Sequence, residues 1–325
     1  MTNYKIFLSA LCFCLCSFCN AQVIDNTVSF KNKPSDKSFR FHYDNDYFTA
    51  TDEYYTQGIT LELVLPALKY NPLTQLLLKP KHSDMKYGLR FDHYGYTPTS
   101  IRSDFIRYGD RPFSGNISLG SFAIAIDTVK QQRISTTLTT GLIGSKAGGR
   151  QMQENIHAWL KNIMPIGWQY QIANDVILDY QINYEKALWQ YRDVFLVNSY
   201  SELRVGTHTD KIKTGFNFML GKFSNPYASN AEAKASKKKF RYHIYGQVQP
   251  GFTLYEATLQ GGMFNKTSPY TLAEKDLTRL TLQGDFGITF NIGKLNLEYF
   301  QSFITKEFET GKLHRWGGVR IGTVF

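Results

Sequence analysis

The chain has 325 residues, a formal net charge of +10, 21 Tyr and 24 Phe, and four cysteines. All four (Cys12, Cys14, Cys16, Cys19) lie near the amino terminus, so the rest of the chain has no disulfide, thiol nucleophile or Cys-based zinc site. Beyond that opening stretch no apolar run approaches the ~20 residues of a spanning helix, while the aromatic content suits a membrane barrel with aromatic girdles.

Lys5, an apolar run from Ile6 to Phe18, and then Asn20 and Ala21 read as a secretory signal cleaved after Ala21. A lipoprotein signal is the rival reading because of Cys19, but Cys16, Ser17 and Phe18 fit it poorly. Residues 22–325 are then one barrel domain. Losing Lys5 takes the formal charge to +9. A basic secreted chain points to anionic partners such as lipopolysaccharide phosphates in the membrane, not to nucleic acid.

The mature chain alternates like strands. Phe39, Phe41 and Tyr43 alternate with Arg40, His42 and Asp44, and Leu295, Leu297 and Tyr299 with Asn296, Glu298 and Phe300. The last segment sets Val319, Ile321, Thr323 and Phe325 against Arg320, Gly322 and Val324. Apolar toward lipid and polar toward a lumen, over ten-odd residues, is the signature of a transmembrane antiparallel β-barrel, an all-β fold. The candidate strands are 38–46, 57–66, 86–97, 113–127, 132–144, 174–190 and 194–207. They continue with 211–223, 238–250, 252–265, 276–292, 294–305 and 315–325. That is thirteen where bacterial barrels use even numbers, so about twelve are expected, with one false or two that are one. The polar, basic stretch 225–240 reads as a loop.

Residues 149–164 break the pattern. Met152, Ile156, Trp159, Leu160 and Ile163 fall at helical spacing, after Ala147-Gly148-Gly149 and before Pro165. If the first strand climbs from the periplasm, the segment around residues 43–56, the stretch 97–111 and this short helix all reach the outer rim.

Asp44, Asn45 and Asp46, followed by Asp52 and Glu53, present the oxygen donors that hard cations prefer, yet Asp and Asn are also ordinary strand-end residues. Strict alternation would send Asn45 and Asp46 to opposite faces, so one site needs a bulge or a strand end there. His157, on the polar side of the helix, reads either as a solvated loop histidine or as a general base; His42 and His93, on strands, compete with it. No G-x-S-x-G is present, so any ester cleavage would use activated water rather than a serine nucleophile.

Five ordered motifs then carry a resemblance. Asn45-Asp46 with Phe48, DEYYTQG at 52–58, Tyr96-Thr97-Pro98, GDRPFS at 109–114 and GLIGSKAGGRQMQENIH at 141–157 resemble the lipid A 3′-O-deacylase (LpxR) family of outer-membrane barrels. The resemblance implies a twelve-stranded barrel that needs calcium, Ca2+, to deacylate lipid A. Residue by residue, it implies that Asp46 holds the ion with Asn45 in support, that Thr56 adds a hydroxyl, and that His157 activates water. Ser145 replaces the family's proline. A lysine expected after Y-[ST]-P has no clear counterpart; Arg102 is nearest, with Ser103 in register, and with Arg111 these are the candidate substrate contacts. An acidic residue expected after the histidine is replaced by the apolar stretch around Ile163. A pore or structural barrel, or a calcium-dependent phospholipase, are the alternatives.

Overall fold

A computed structural model describes residues 35–51, 53–228 and 240–325; the expected signal, Asp52 and most of the 225–240 loop lie outside them. Strands β1 (Ser38–Asn45), β2 (Tyr55–Val64), β3 (Asp84–Tyr96), β4 (Ser114–Asp127), β5 (Gln132–Ile143) and β6 (Asp175–Tyr191) form the first half. The second half is β7 (Phe195–Gly206), β8 (Thr209–Lys222), β9 (Arg241–Glu256), β10 (Leu280–Ile292), β11 (Leu295–Ile304) and β12 (His314–Val324). Each pairs antiparallel with its sequence neighbours, and β1 closes on β12 from Ser38↔Val324 to Asn45↔Gly317. Closure leaves no unpaired edge, which is what allows strands to cross lipid.

The count is twelve because the candidates 238–250 and 252–265 are one strand, β9, followed by a single turn of helix at Ala257–Gln260. Pro250 and Gly251 look like a break but lie inside the strand. Proline has no amide to donate, and the ladder to β8 is interrupted there, between the pairs Lys213↔Gly251 and Phe216↔Val248.

The alternation places apolar side chains outward, with Phe39, Tyr299 and Ile321 exposed, and turns Arg40, Glu298 and Arg320 inward, where they are buried. Arg40 pairs with Glu62, Arg133 with Glu185, and Arg320 with Glu298, each with its direct neighbour on the adjacent strand. The Arg320 guanidinium also covers the Phe300 ring at 3.9 Å. A cavity of about 30 Å³ beside Arg40, His42 and Glu62 leaves room for little more than one water.

Removing one partner of such a buried pair strands a charge, whereas removing both does not. Glu185→Leu is expected to destabilise the barrel by about 3–5 kcal/mol, read as a lower unfolding midpoint in detergent. Adding Arg133→Met should recover most of that loss.

Candidate active site

Three segments meet at the end of the barrel where β1 stops. Asn45 caps the 3₁₀ turn Asp46–Thr49. Its Oδ1 accepts from the Tyr47 amide at 2.7 Å, and its Nδ2 donates to the Thr56 carbonyl at 2.5 Å. The strand ends at Asn45, so Asp46 begins a turn at the rim, and it is only 4% exposed. Hydroxyls of Thr49 and Thr51 donate to its carbonyl at 2.8 and 3.2 Å, and Ala50, at φ 55°, closes the turn.

Facing this turn, β2 carries a bulge. Its pairing with β3 shifts between Tyr55 and Gln57, making Thr56 the extra residue. A bulge re-aims one side chain; here Tyr55, Thr56 and Gln57 are buried in succession. Gly58 serves the same corner. The Tyr55 hydroxyl donates to Asp44 Oδ1 at 2.9 Å, and a Cβ at residue 58 would stand 2.0 Å from that hydroxyl oxygen.

Helix α1 (Gly149–Leu160) lies across the rim. Gly148, at φ 77°, provides the left-handed corner into it, and the preceding Ala147 carbonyl sits 2.7 Å from His93 Nε2. His93 therefore holds the turn from the wall. The helix then passes so close to β4 that a Cβ on Gly149 would stand 2.8 Å from the Gly115 Cα.

The buried face of α1 is Gly149, Gln153 and His157. Gln153 Nε2 donates to the Thr56 hydroxyl at 2.7 Å, and its Oε1 accepts from Trp168 Nε1 at 2.7 Å. One turn further, His157 Nδ1 lies 2.5 Å from the Ile163 carbonyl oxygen. A carbonyl only accepts, so in the neutral ring Nδ1 carries the hydrogen and Nε2 keeps its lone pair.

The helix ends at Leu160, short of the expected Met164. Lys161 adopts φ 54° and the Asn162 amide returns to the His157 carbonyl at 2.8 Å. That reversal is what brings the Ile163 carbonyl to the imidazole. Of the apolar residues at helical spacing, Trp159 (82% exposed), Leu160 and Ile163 face out, as does Met164, whereas Met152 and Ile156 are half-buried. The helix packs on the outward side of the wall, against Gly115 and His93, so its far face is the one turned to lipid.

The other candidates are dispersed. Arg102 is exposed and lines, with Ala50, Thr51, Glu53, Thr99 and Ser100, an open cleft of about 440 Å³ against the Asp46 turn. Ser103 is half-buried and accepts from Arg107 Nη1 at 3.4 Å. Arg111 is 1% exposed: it pairs with Glu307, donates to Thr258 Oγ1 at 2.8 Å and covers the Tyr96 ring at 3.9 Å. Burial pushes the Glu307 carboxyl up to about 7 against the opposing pull of Arg111. Arg111 braces the outer loops and does not open on the cleft. Asp44 bonds Tyr55 and His42, and Glu53 pairs with Lys312 at 2.7 Å.

Among the described residues no three of His, Cys, Asp and Glu cluster as a metal site. The donors around the Asp46 turn are all oxygens: a carboxylate, an amide oxygen, a hydroxyl and backbone carbonyls. Gln153 and Trp168 are the residues that sequence reasoning did not single out. The spacing of Gln153 four residues before His157 was the available signal, whereas Trp168 had none.

Fold and site together define an outer-membrane β-barrel with a polar site at its rim, formed by one wall and a docked loop helix. The family described as outer membrane protein LpxR matches residues 7–325, and the chain belongs to it. LpxR from Salmonella typhimurium superposes with a TM-score of 0.68 at 18% identity, covering 89% of this chain and 100% of that one. The β domain of the Bordetella autotransporter BrkA covers 89% of this chain and 99% of its own, with 9% identity and a TM-score of 0.46. No curated protein sequence matches.

Gln153→Leu removes both side-chain bonds that tie α1 to Thr56 and Trp168. It is expected to lower the local stability of the helix by about 1–3 kcal/mol. Faster hydrogen exchange of the 149–160 amides, with a red-shifted Trp168 emission, is the expected readout.

Proposed function

We propose that the protein hydrolyses an ester-linked acyl chain of lipid A, the 3′-O-linked acyl or acyloxyacyl group, in the outer leaflet of the outer membrane. The observation that carries this reading is the hydrogen-bonded run from Asn45 through Thr56 to Gln153, one helical turn from an imidazole whose Nε2 remains an acceptor. Membership of the LpxR family supports the substrate class.

Each residue then has a role. His157 takes a proton from water through Nε2 as the water attacks the ester carbonyl, while the Ile163 carbonyl holds the ring through Nδ1. The family's acidic residue after the histidine is thus replaced by a backbone acceptor, which does not depend on the side chain at 163. Asn45 and Gln153 are positioning residues: one fixes the Asp46 turn, the other fixes the helix. The exposed Trp159, Leu160, Ile163 and Met164 form an apolar lip beside His157, suited to an acyl chain. Arg102, in the cleft, would meet the charged or sugar portion of the substrate, with Ser103 next to it held by Arg107.

The oxygen donors fit calcium, a hard cation that accepts carboxylate, amide and hydroxyl oxygens in flexible geometry. Asp46 would hold it, with Asn45 and Thr56 shaping the site. When bound, the ion would supply a Lewis acid for the ester carbonyl.

His157→Ala should lower turnover by about 10²–10⁴-fold and leave the heat-modifiable fold intact. Mass spectra of lipid A from a host membrane, with and without the protein, provide the assay; full activity in the variant would overturn the role of His157. Separately, chelation is expected to silence the wild-type protein, with calcium restoring activity better than magnesium. Asp46→Asn should weaken that rescue.

A further inference from the structure

The connection between β2 and β3, residues 65–83, is far longer than the inner-end turns at 128–131, 192–194 and 293–294; the other long connection at that end, 223–240, is described only in part. It does not extend away from the barrel. Asn71 Nδ2 donates to Ser121 Oγ at 3.3 Å, and the Tyr180 hydroxyl donates to the Leu76 carbonyl at 3.0 Å. Ser121 and Tyr180 lie on the outer face of the wall, each between lumen-facing neighbours. They occupy one row, since Ser121 pairs with Leu138 and Leu138 with Tyr180. The segment therefore crosses the outside of the barrel from β4 over β5 to β6.

The wall beneath it is made to be covered. Ser121, Ala123, Ala125 and Thr136 face outward with small side chains, yet each is at most 2% exposed. Leu119, next outward on the same face of β4, is 46% exposed. The crossing segment turns Thr74 and Leu77 toward the wall and leaves Tyr70, Leu73, Leu76 and Leu78 exposed on its far side.

Its backbone suits hydrocarbon, where unpaired polar groups are not tolerated. Amides of Leu68, Asn71, Thr74 and Leu77 bond in succession to carbonyls of Leu65, Leu68, Asn71 and Thr74. Pro66 and Pro72 have no amide to leave unpaired. The Leu73 amide bonds to Asn71 Oδ1, and the Thr74 hydroxyl to the Leu68 carbonyl. The stretch 65–83 holds Lys69, Lys79 and Lys81 and no acidic residue. Lysines at the edge of an apolar surface bury their stems and extend the ammonium to headgroups.

We propose that residues 66–81 form an in-plane membrane strap: Leu73, Leu76 and Leu78 lie among the acyl chains of the inner leaflet, and Lys69, Lys79 and Lys81 bind the phosphates of anionic phospholipids. Continuity with the lipid-facing belt of the barrel fixes the acyl-chain contact, and the one-signed charge fixes the headgroup. The strap leaves β2 and rejoins β3 at the inner end of the cylinder and reaches up to mid-wall, whereas His157 is at the outer rim, so this inference stands apart from the proposed reaction.

Because all cysteines precede residue 20, the protein produced from residue 22 onward accepts single spin-labelled cysteines. Leu76→Cys and Leu78→Cys alter exposed side chains, with Leu119→Cys and Val129→Cys as lipid-belt and aqueous references. In phosphatidylethanolamine–phosphatidylglycerol vesicles, the strap labels should relax with oxygen and resist a water-soluble nickel chelate, as at 119. Nickel accessibility like that at 129 would overturn the membrane seat. Native mass spectrometry from the same vesicles should show several-fold enrichment of phosphatidylglycerol, lost when Lys69, Lys79 and Lys81 are all changed to Gln. Equal retention of both lipids by the unaltered protein would overturn the headgroup assignment.

Discussion

Lipid offers a backbone nothing to bond to, and closing β1 onto β12 is how this chain meets that condition. Closure also decides where polarity goes. Side chains alternate between hydrocarbon and a confined lumen, so charged residues accumulate inside and must neutralise one another between neighbouring strands. Arg40 with Glu62, Arg133 with Glu185 and Arg320 with Glu298 do so.

That inversion governs the rim site as well. On a soluble protein, an amphipathic helix would bury Trp159 and Leu160 and expose Gln153 and His157. Here α1 does the reverse: Gln153 and His157 find polar partners in Thr56, Trp168 and the Ile163 carbonyl, while Trp159 and Leu160 point away from the wall. Two glycines, 115 and 149, let the helix come close enough for Gln153 to reach Thr56. The β2 bulge brings Thr56 to the same place from the other side. The polar run at the rim is built from departures from regular structure: a strand end, a bulge and an early helix stop.

The same physics extends to the other leaflet. The strap over β4–β6 is irregular backbone made acceptable by threefold-spaced hydrogen bonds and prolines, and it covers outward positions too small to make a good lipid surface themselves. The two sides thus present different surfaces, with an apolar lip beside His157 and a cationic, leucine-rich segment between β2 and β3.

Much was determined by residue order alone. Period-two alternation follows from strand geometry, so the barrel, the polarity of its faces and most strand positions were legible. Glycines, the helix and the ordered motifs around Asn45-Asp46 and His157 pointed to the family, because they are local features. What only the tertiary structure decided depends on long-range contact. Pro250 reads as a breaker until its place beside an interrupted ladder is known. Arg111 reads as a rim cation until Glu307, far along the chain, is seen to bury it. Gln153 gains its meaning from Thr56 and Trp168, and His157 from a carbonyl that returns only because the helix stops early. Sequence spacing encodes which face a residue occupies; which residue waits opposite it is set by the closing of the cylinder.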